Sequence, residues 1–475
     1  MAHVIPSAAP ISRRDLLVSA GAGLGLVGLA SVLADAGELA GSAGAAAEAA
    51  RLADPLAARM PHHAPRVKRV VQFFLNGGPS HIDTFDPKPL LERYAGQPLP
   101  FSLTTERKTG GALPSPFRFQ KHGQSGLEIS ELFSHTAAHA DSLAVIRSMQ
   151  AQLPNHEPSL LLMNCGDSVQ PRPSVGSWIL YGLGSENRNL PGFIAMCPGG
   201  YPVADKANWQ SGFLPGAFQG TYVDSQHERA EQLIENIKSP HASDAVQRRQ
   251  LALLQSLNAA HRAPRHDPRL DARIQSFELA SRMQTEATDA FDLSREPQAV
   301  RDLYGDGVHG RQTLIARRLL ERGVRYVQLW HGAGQPWDHH SEVAKGLRQH
   351  AGEIDRPIAA LLTDLKARGM FDDTLVIWGG EFGRTPVSEG GTGRDHNPYG
   401  FTVWLAGGGV KGGTTYGGTD DFGFRAVDRP TSVHDLHATL LHLLGFDHKR
   451  LTYRYAGRDF RLTDVHGRIL QGVLA

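Results

Sequence analysis

Three short segments of this chain set carboxylates beside imidazoles just after apolar, β-prone runs. Trp337-Asp338-His339-His340 comes soon after residues 324–330 (VRYVQLW), Glu381 follows residues 374–378 (TLVIW), and Arg394-Asp395-His396-Asn397 lies a little further on. Carboxylates and imidazoles together suit Zn, Mn or Fe, and added amide or water oxygens would admit Mg or Ca. Buried without a cation, such groups would lose their hydration uncompensated. Each motif alone has a plainer reading, with His339 and His340 as surface residues at a helix start and Asp338 as its cap. All three together favour a metal. Cys165 and Cys197 are the only cysteines, which excludes a disulfide framework and a cysteine-rich zinc site. The ligands must then be His, Asp, Glu or Asn.

Elements that could position these residues alternate along the chain. Strands are expected at 67–75 (VKRVVQFFL), 142–149, 192–196, 324–330, 374–378 and 401–405, where β-branched and aromatic residues cluster. Helical spacing marks 311–322, ending at Gly323, and 341–368, ending at Gly369. Residues 431–444 (TSVHDLHATLLHLL) form a further amphipathic helix in which His434 could face a site. This order predicts an α/β fold, a large and mostly parallel sheet flanked by helices, with ligands gathered at the carboxyl ends of its strands. From about 224 to 303 the chain turns charged and Gln/Ala/Leu-rich, which reads as a helical insertion.

The chain has 475 residues with 41% hydrophobic and 20% charged residues, the composition of a globular protein, and a net charge of +1 that argues against a nucleic-acid partner. Ser12-Arg13-Arg14 precedes an uncharged, Gly/Ala/Leu-rich stretch at 16–34. That pattern resembles a twin-arginine (Tat) signal, so residues 1–50 are expected to be a cleaved signal and linker. The Tat export machinery is then a partner, the location periplasmic or secreted, and no stable membrane span remains after cleavage. Many exported folded proteins carry a cofactor already inserted.

Five motifs in order, FFLNGGPSHIDTFDPKP (73–89), PSVGSWILYGLGSENRNLPGF (173–193), WDHHSE (337–342), GGEFGRTP (379–386) and GRDHNP (393–398), resemble the sulfatase-like domain-of-unknown-function family 1501. The resemblance places such a domain over about 66–470 and implies the alkaline phosphatase and sulfatase superfamily, whose members act on phosphate or sulfate groups at one or two metals. By that resemblance Asp338, His340 and His396 look like one metal site, with Glu381 and Asn76 as further ligands. Glu381 stands where an Asp-His pair usually follows the strand, with Phe382 in the second place, which puts a two-metal centre in doubt. Ser80, His81 and Arg394 are expected near the substrate. Arg384 would clamp an anion, or equally would form a salt bridge to an acidic ligand.

His156-Glu157-Pro158-Ser159-Leu160 resembles the sulfatase Cys-x-Pro-Ser-Arg stretch, with His156 in place of the modified Cys and Leu160 in place of Arg. Formylglycine chemistry is excluded. Three options remain: His156 as nucleophile or ligand, Ser159 as nucleophile, or a metal-bound hydroxide with His156 as acid/base, the last being preferred. The leading expectation is an exported hydrolase of sulfate or phosphate esters that depends on a divalent ion (Zn, Mn, Fe or Ca). Its substrate would be a small anionic ester or a sulfated or phosphorylated saccharide. The rivals are a catalytically degenerate sulfatase-like binding protein and a phosphotransferase on the same scaffold.

Overall fold

Residue alternation in the first strand already sets the layers. In β1 (Arg69–Phe74), Val71 and Phe73 enter one buried cluster while Val70 and Phe74 enter another, so both faces of the strand are covered. The computed structural model describes residues 54–170, 172–234, 243–264, 274, 278 and 289–475. The expected signal at 1–50 lies outside the described residues, as does part of 224–303.

Nine strands form the main sheet: β1, β4 (Leu143–Gln150), β5 (Phe193–Met196), β6 (Thr221–Val223), β7 (Tyr326–Trp330), β8 (Thr374–Gly379), β11 (Phe401–Gly407), β12 (Thr414–Tyr416) and β15 (Thr431–Ser432). Their order is β12-β4-β11-β8-β1-β7-β5-β6, with β15 also on β4. Hairpins β2–β3 (Phe119–His122, Leu127–Ser130), β9–β10 (Gly383–Glu389, Gly393–Asn397), β13–β14 (Gly418–Thr419, Ala426–Asp428) and β16–β17 (Tyr453–Tyr455, Arg458–Phe460) lie outside it. The six expected strands are all present. One runs the other way: β11 is antiparallel to both β4 and β8, which makes the sheet mixed. Within the main sheet the strands that periodicity missed, β6, β12 and β15, have only two or three residues each, too few to show a period.

Helices cover both faces. The labelled ones are α1 (His156–Cys165), α2 (Val175–Leu183), α3 (Asp244–Arg262), α4 (Val308–Glu321), α5 (Val343–Ala367) and α6 (Val433–Leu443). Leu347, Ala351, Ile354, Ile358, Leu361 and Leu365 recur every three or four residues along α5 and pack it into the first core with α4. On the other face α2 and α6 bury Trp178, Ile179, Leu436 and Leu440. Ser432 starts α6 with a capping box, its side chain accepting from Asp435 N while the Asp435 carboxylate accepts from Ser432 N. The described parts of 224–303 include α3 and shorter helical turns. Among the described residues no helix is long and apolar enough to cross a membrane.

Because β1, β4, β7 and β8 are parallel, the segments that follow them emerge at one edge of the sheet. That edge is tightly packed. The Asn76 side chain donates to Gly332 O at 2.9 Å and Gly334 O at 2.6 Å, and its Oδ1 accepts from His331 N at 3.3 Å, so the loop after β7 is tied to the end of β1. Gly77, at φ +114°, passes so close that a Cβ there would meet Asp338 N at 2.6 Å and Trp337 N at 2.7 Å. We therefore expect Gly77→Ala to destabilise the protein by about 1–3 kcal/mol through backbone strain and displacement of that loop. The check is the midpoint of chemical denaturation, and an unchanged midpoint would contradict this packing.

Candidate metal centre

Asp338 sits at the meeting point of these segments. Its Oδ1 lies 2.9 Å from His340 Nε2 and 3.0 Å from His396 Nε2, and its Oδ2 lies 3.3 Å from His156 Nε2. His340 Nε2 and His396 Nε2 are themselves 3.0 Å apart. Each imidazole turns its other nitrogen to a glutamate: His156 Nδ1 to Glu381 Oε1 at 2.7 Å, His396 Nδ1 to Glu106 Oε2 at 2.7 Å, and His340 Nδ1 to Glu389 Oε2. A carboxylate behind Nδ1 fixes the tautomer that leaves Nε2 free to ligate.

Local structure accounts for each position. His156 opens α1 directly after Asn155, whose extended backbone begins the helix and whose side-chain amide donates to Glu106 Oε1 at 3.0 Å. His396 pairs with Arg384 across the β9–β10 hairpin, so both side chains reach Asp338 from the same face. His340 is pressed against β10 at Gly393, where a Cβ would stand 1.8 Å from His340 O. Only glycine allows that approach.

Asp338, His340 and His396 therefore converge, although they come from two separate segments. His156, favoured as an acid/base, lies within the same cluster: ligand atoms of His156, Asp338 and His396 all lie within 4.8 Å of one another. Other expectations need correction. The segments GGEFGRTP and GRDHNP are largely a hairpin rather than loops. Glu381 backs His156 through Oε1, which also accepts from Gly77 N at 2.8 Å, so it stands behind the Asp338 group rather than within it. The Asn76 amide is occupied by the loop carbonyls described above. Arg384 is 1% exposed and donates to Asp338 at 2.6 Å, Gly78 O at 3.0 Å and Arg394 O at 3.2 Å, so it forms the salt bridge and has no face for a substrate.

The three expected substrate binders form a buried structural knot. Ser80 Oγ donates to Asp83 at 2.6 Å, Arg394 holds the same carboxylate at 2.8 and 3.1 Å, and His81 Nε2 faces Gly423 O at 2.7 Å. Charge buried this deeply needs such partners, which consume the groups that a substrate would use. Ser159 Oγ donates to Leu153 O at 2.7 Å and His434 Nε2 faces Gly166 O at 2.9 Å, so neither joins the cluster. Sequence reasoning missed Glu106 and Glu389 and gave Asp395 no role of its own. Asp395 accepts from Arg107 N at 2.8 Å and has ligand-range geometry with Glu106 and His396. It was visible beside His396, whereas Glu106 and Glu389 carry no local signature.

The donor set fits a metal. Five carboxylates, Asp338, Glu381, Glu389, Glu106 and Asp395, face two guanidinium groups, Arg384 and Arg107. Glu381 is fully buried and its Oε2 has no hydrogen-bond partner among the described residues, while His156 Nε2 meets only the Asp338 carboxylate, at 3.3 Å. Without a metal the protons must compensate. Burial by itself would lower His156, but hydrogen bonds to Asp338 and Glu381 outweigh it and raise the imidazole to about 9. Burial would raise Asp338, yet hydrogen bonds from His156, His340 and His396 and the charge of Arg384 hold it far below the usual carboxylate range. His340 is raised, chiefly by its bond to Asp338, while burial lowers His396 against the opposing pull of Asp338.

A group raised in the folded state stabilises fully below its unfolded value and loses that contribution as pH climbs through the folded value. For His156 the window runs from 6.5 to about 9. Chelator-treated protein should accordingly melt at progressively lower temperature across that window, and His156→Gln should flatten the slope. Thermal melts in matched buffers provide the check; a slope equal in the variant and the parent would contradict the assignment to His156.

No curated protein matches the chain. Among solved structures it is similar to Ps i-CgsB, at 11% identity over 80% of this chain and 72% of that one, with a TM-score of 0.36. It is also similar to the phosphonate monoester hydrolase SpPMH from Silicibacter pomeroyi, at 13% identity over 72% and 71% with a TM-score of 0.34. The PsFucS1 sulfatase from Pseudoalteromonas sp. is similar at 10% identity over 84% and 72%, with a TM-score of 0.33. The five sequence motifs, the mixed sheet and the cluster at its carboxyl edge all fall within residues 67–474, over which the chain matches the family model described as "Protein of unknown function (DUF1501)", and it belongs to that family.

Proposed function

We propose that this chain is an exported, metal-dependent hydrolase of sulfate or phosphate esters whose metal is held by His156, Asp338, His340 and His396. One observation carries the proposal: three imidazole Nε2 atoms surround one carboxylate while each Nδ1 is backed by a glutamate. A divalent ion bound there supplies Lewis-acid polarisation and lowers the pKa of a water ligand. The chain's own groups do the rest. Glu381, Glu389 and Glu106 hold the Nδ1 protons and so keep each ring oriented. Arg384 shares the negative charge of Asp338 and fixes its plane. Arg107 is half exposed beside Glu389 and can meet an anionic substrate at the rim, a role that buried Arg384 and Arg394 cannot take.

A binding protein without turnover is the second reading, favoured by the commitment of Arg384 and Arg394 to Asp338 and Asp83. Purified mature protein loaded with Zn, Mn or Ca and assayed on aryl sulfates, phosphomonoesters and phosphodiesters separates the two. Hydrolysis of at least one class is expected. His396→Ala should remove metal and lower the rate by about 100-fold or more, and Arg107→Ala should raise KM with metal content intact. A metal-loaded wild type inert on the whole panel would establish the binding reading.

The export part of the proposal is motivated by Arg13-Arg14 ahead of the uncharged stretch at 16–34. Replacing both arginines with lysine should strand the precursor in the cytoplasm. Mature protein still appearing in the periplasm would refute the twin-arginine route.

A further inference from the structure

We propose that His309, His331, His350 and Glu353 form a second, separate site for a transition-metal ion of the Zn(II) class. These residues come from three elements, α4, α5 and the segment after β7. His309 lies in the first turn of α4, His331 follows β7, and His350 and Glu353 stand one turn apart on α5. None of them belongs to the Asp338 group.

The geometry is that of ligands drawn to one point. Glu353 Oε2 lies 2.9 Å from His331 Nε2 and 3.0 Å from His350 Nδ1, and these two nitrogens are 3.2 Å apart. His309 stacks on His331 with ring centroids 4.3 Å apart, and ligand atoms of His309, His331 and Glu353 fall within 4.8 Å of one another. Bonds of about 2.0–2.2 Å to a four-coordinate metal set neighbouring ligand atoms roughly 3.3–3.5 Å apart, so a small outward adjustment of this triangle accommodates an ion. As a hydrogen-bonded cluster the arrangement is poorly matched. Two imidazole nitrogens compete for one carboxylate oxygen, and the buried His331 Nδ1 has no partner among the described residues.

Access and donor type point the same way. His309, His331, His350 and Glu353 line a cavity of about 430 Å³ together with Gly332 and Pro336, and the Glu353 side chain is 40% exposed, so an ion can enter from solvent. Three imidazoles with one carboxylate favour Zn(II) and its neighbours over Mg or Ca, which prefer oxygen. His309 and His331 are buried, which disfavours their charged forms and leaves neutral rings able to ligate. An ion there would pin the start of the 331–340 loop to α4 and α5, while Asp338 and His340 occupy its other end.

The test uses the full mature chain, stripped with chelator, dialysed against Zn(II) and measured for metal content, with Co(II) titration followed by its visible absorption. Wild type should retain two classes of bound ion. His350→Ala/Glu353→Gln should lose one class and the Co(II) band of a histidine-rich site, while Asp338→Asn/His396→Ala should keep that class and lose the other. Glu353→Gln alone alters a half-exposed side chain and guards against a folding failure in the double variant; it should weaken Co(II) binding about 10-fold or more. Unchanged Zn content and Co(II) affinity in both Glu353 variants would overturn the second site. Loss of metal only in the Asp338 variants would leave the proposed function standing without it, and retention only at His350 and Glu353 would do the reverse.

Discussion

The largely enclosed carboxylate of Asp338, with its side chain 10% exposed, is the constraint on which the candidate centre depends. Taking an ionised carboxylate out of water is costly unless donors replace the lost hydration. Here four do so, from His156, His340, His396 and Arg384. Those donors come from four places in the chain, so satisfying one side chain requires α1, the loop after β7 and both strands of the β9–β10 hairpin to meet at the same edge. The alignment of β1, β4, β7 and β8 makes that meeting possible. β11, reversed between β4 and β8, closes the sheet without bringing another carboxyl end into the site.

Support for the cluster is a second layer of charge. Every imidazole bonded to Asp338 has a glutamate behind it, and the backbone is shaped to admit them: Gly77 donates its N–H to Glu381 while leaving room for the Asp338 loop, and Gly393 lets β10 lie against His340. Nearby, Arg394 and Asp83 are both fully buried and bind each other twice. Removing one partner of such a pair usually costs about 3–5 kcal/mol. Arg394 therefore belongs to the scaffold of the hairpin, and its position beside Asp395 and His396 in sequence says nothing about contact with a substrate.

The legible part of the molecule was the part with a period. The runs at 67–75, 324–330 and 374–378 carry enough β-branched residues to declare strands, and α4, α5 and α6 show their apolar stripes and their terminal glycines. The grouping of Asp338, His340 and His396 was implied by the family resemblance, while the strand-end reading pointed only to the edge where ligands gather. What residue type could not reveal was allegiance. Asn76, Ser80, Arg384 and Arg394 look functional in a list of polar residues near glycines, but each spends its donors on the protein itself, and His81 is buried with its Nε2 against Gly423 O. Glu106 and Glu389 have the opposite problem, since nothing local distinguishes them from surface glutamates. Their role exists only once residues 290 positions apart, Glu106 and His396, are brought together.

That separation also bears on how the site comes into being. His156 meets Glu381 across 225 residues and His340 meets Glu389 across 49, so only Asp338 and His340 are near neighbours in the unfolded chain and the rest of the set is gathered by the fold. Metal affinity at such a site is tied to folding, because the ligands are gathered only when the sheet has closed. A chain passed across a membrane unfolded would have to assemble the set outside, competing for whatever metal is present there. Under the proposed twin-arginine export the folded protein would travel whole, and the ion selected in the cytoplasm would be held by three imidazoles, an aspartate and their supporting glutamates before it left. The long-range construction of the centre and the arginine pair at the start of the chain are thus consistent parts of one physical scheme, in which folding precedes export because the ligand set requires the fold.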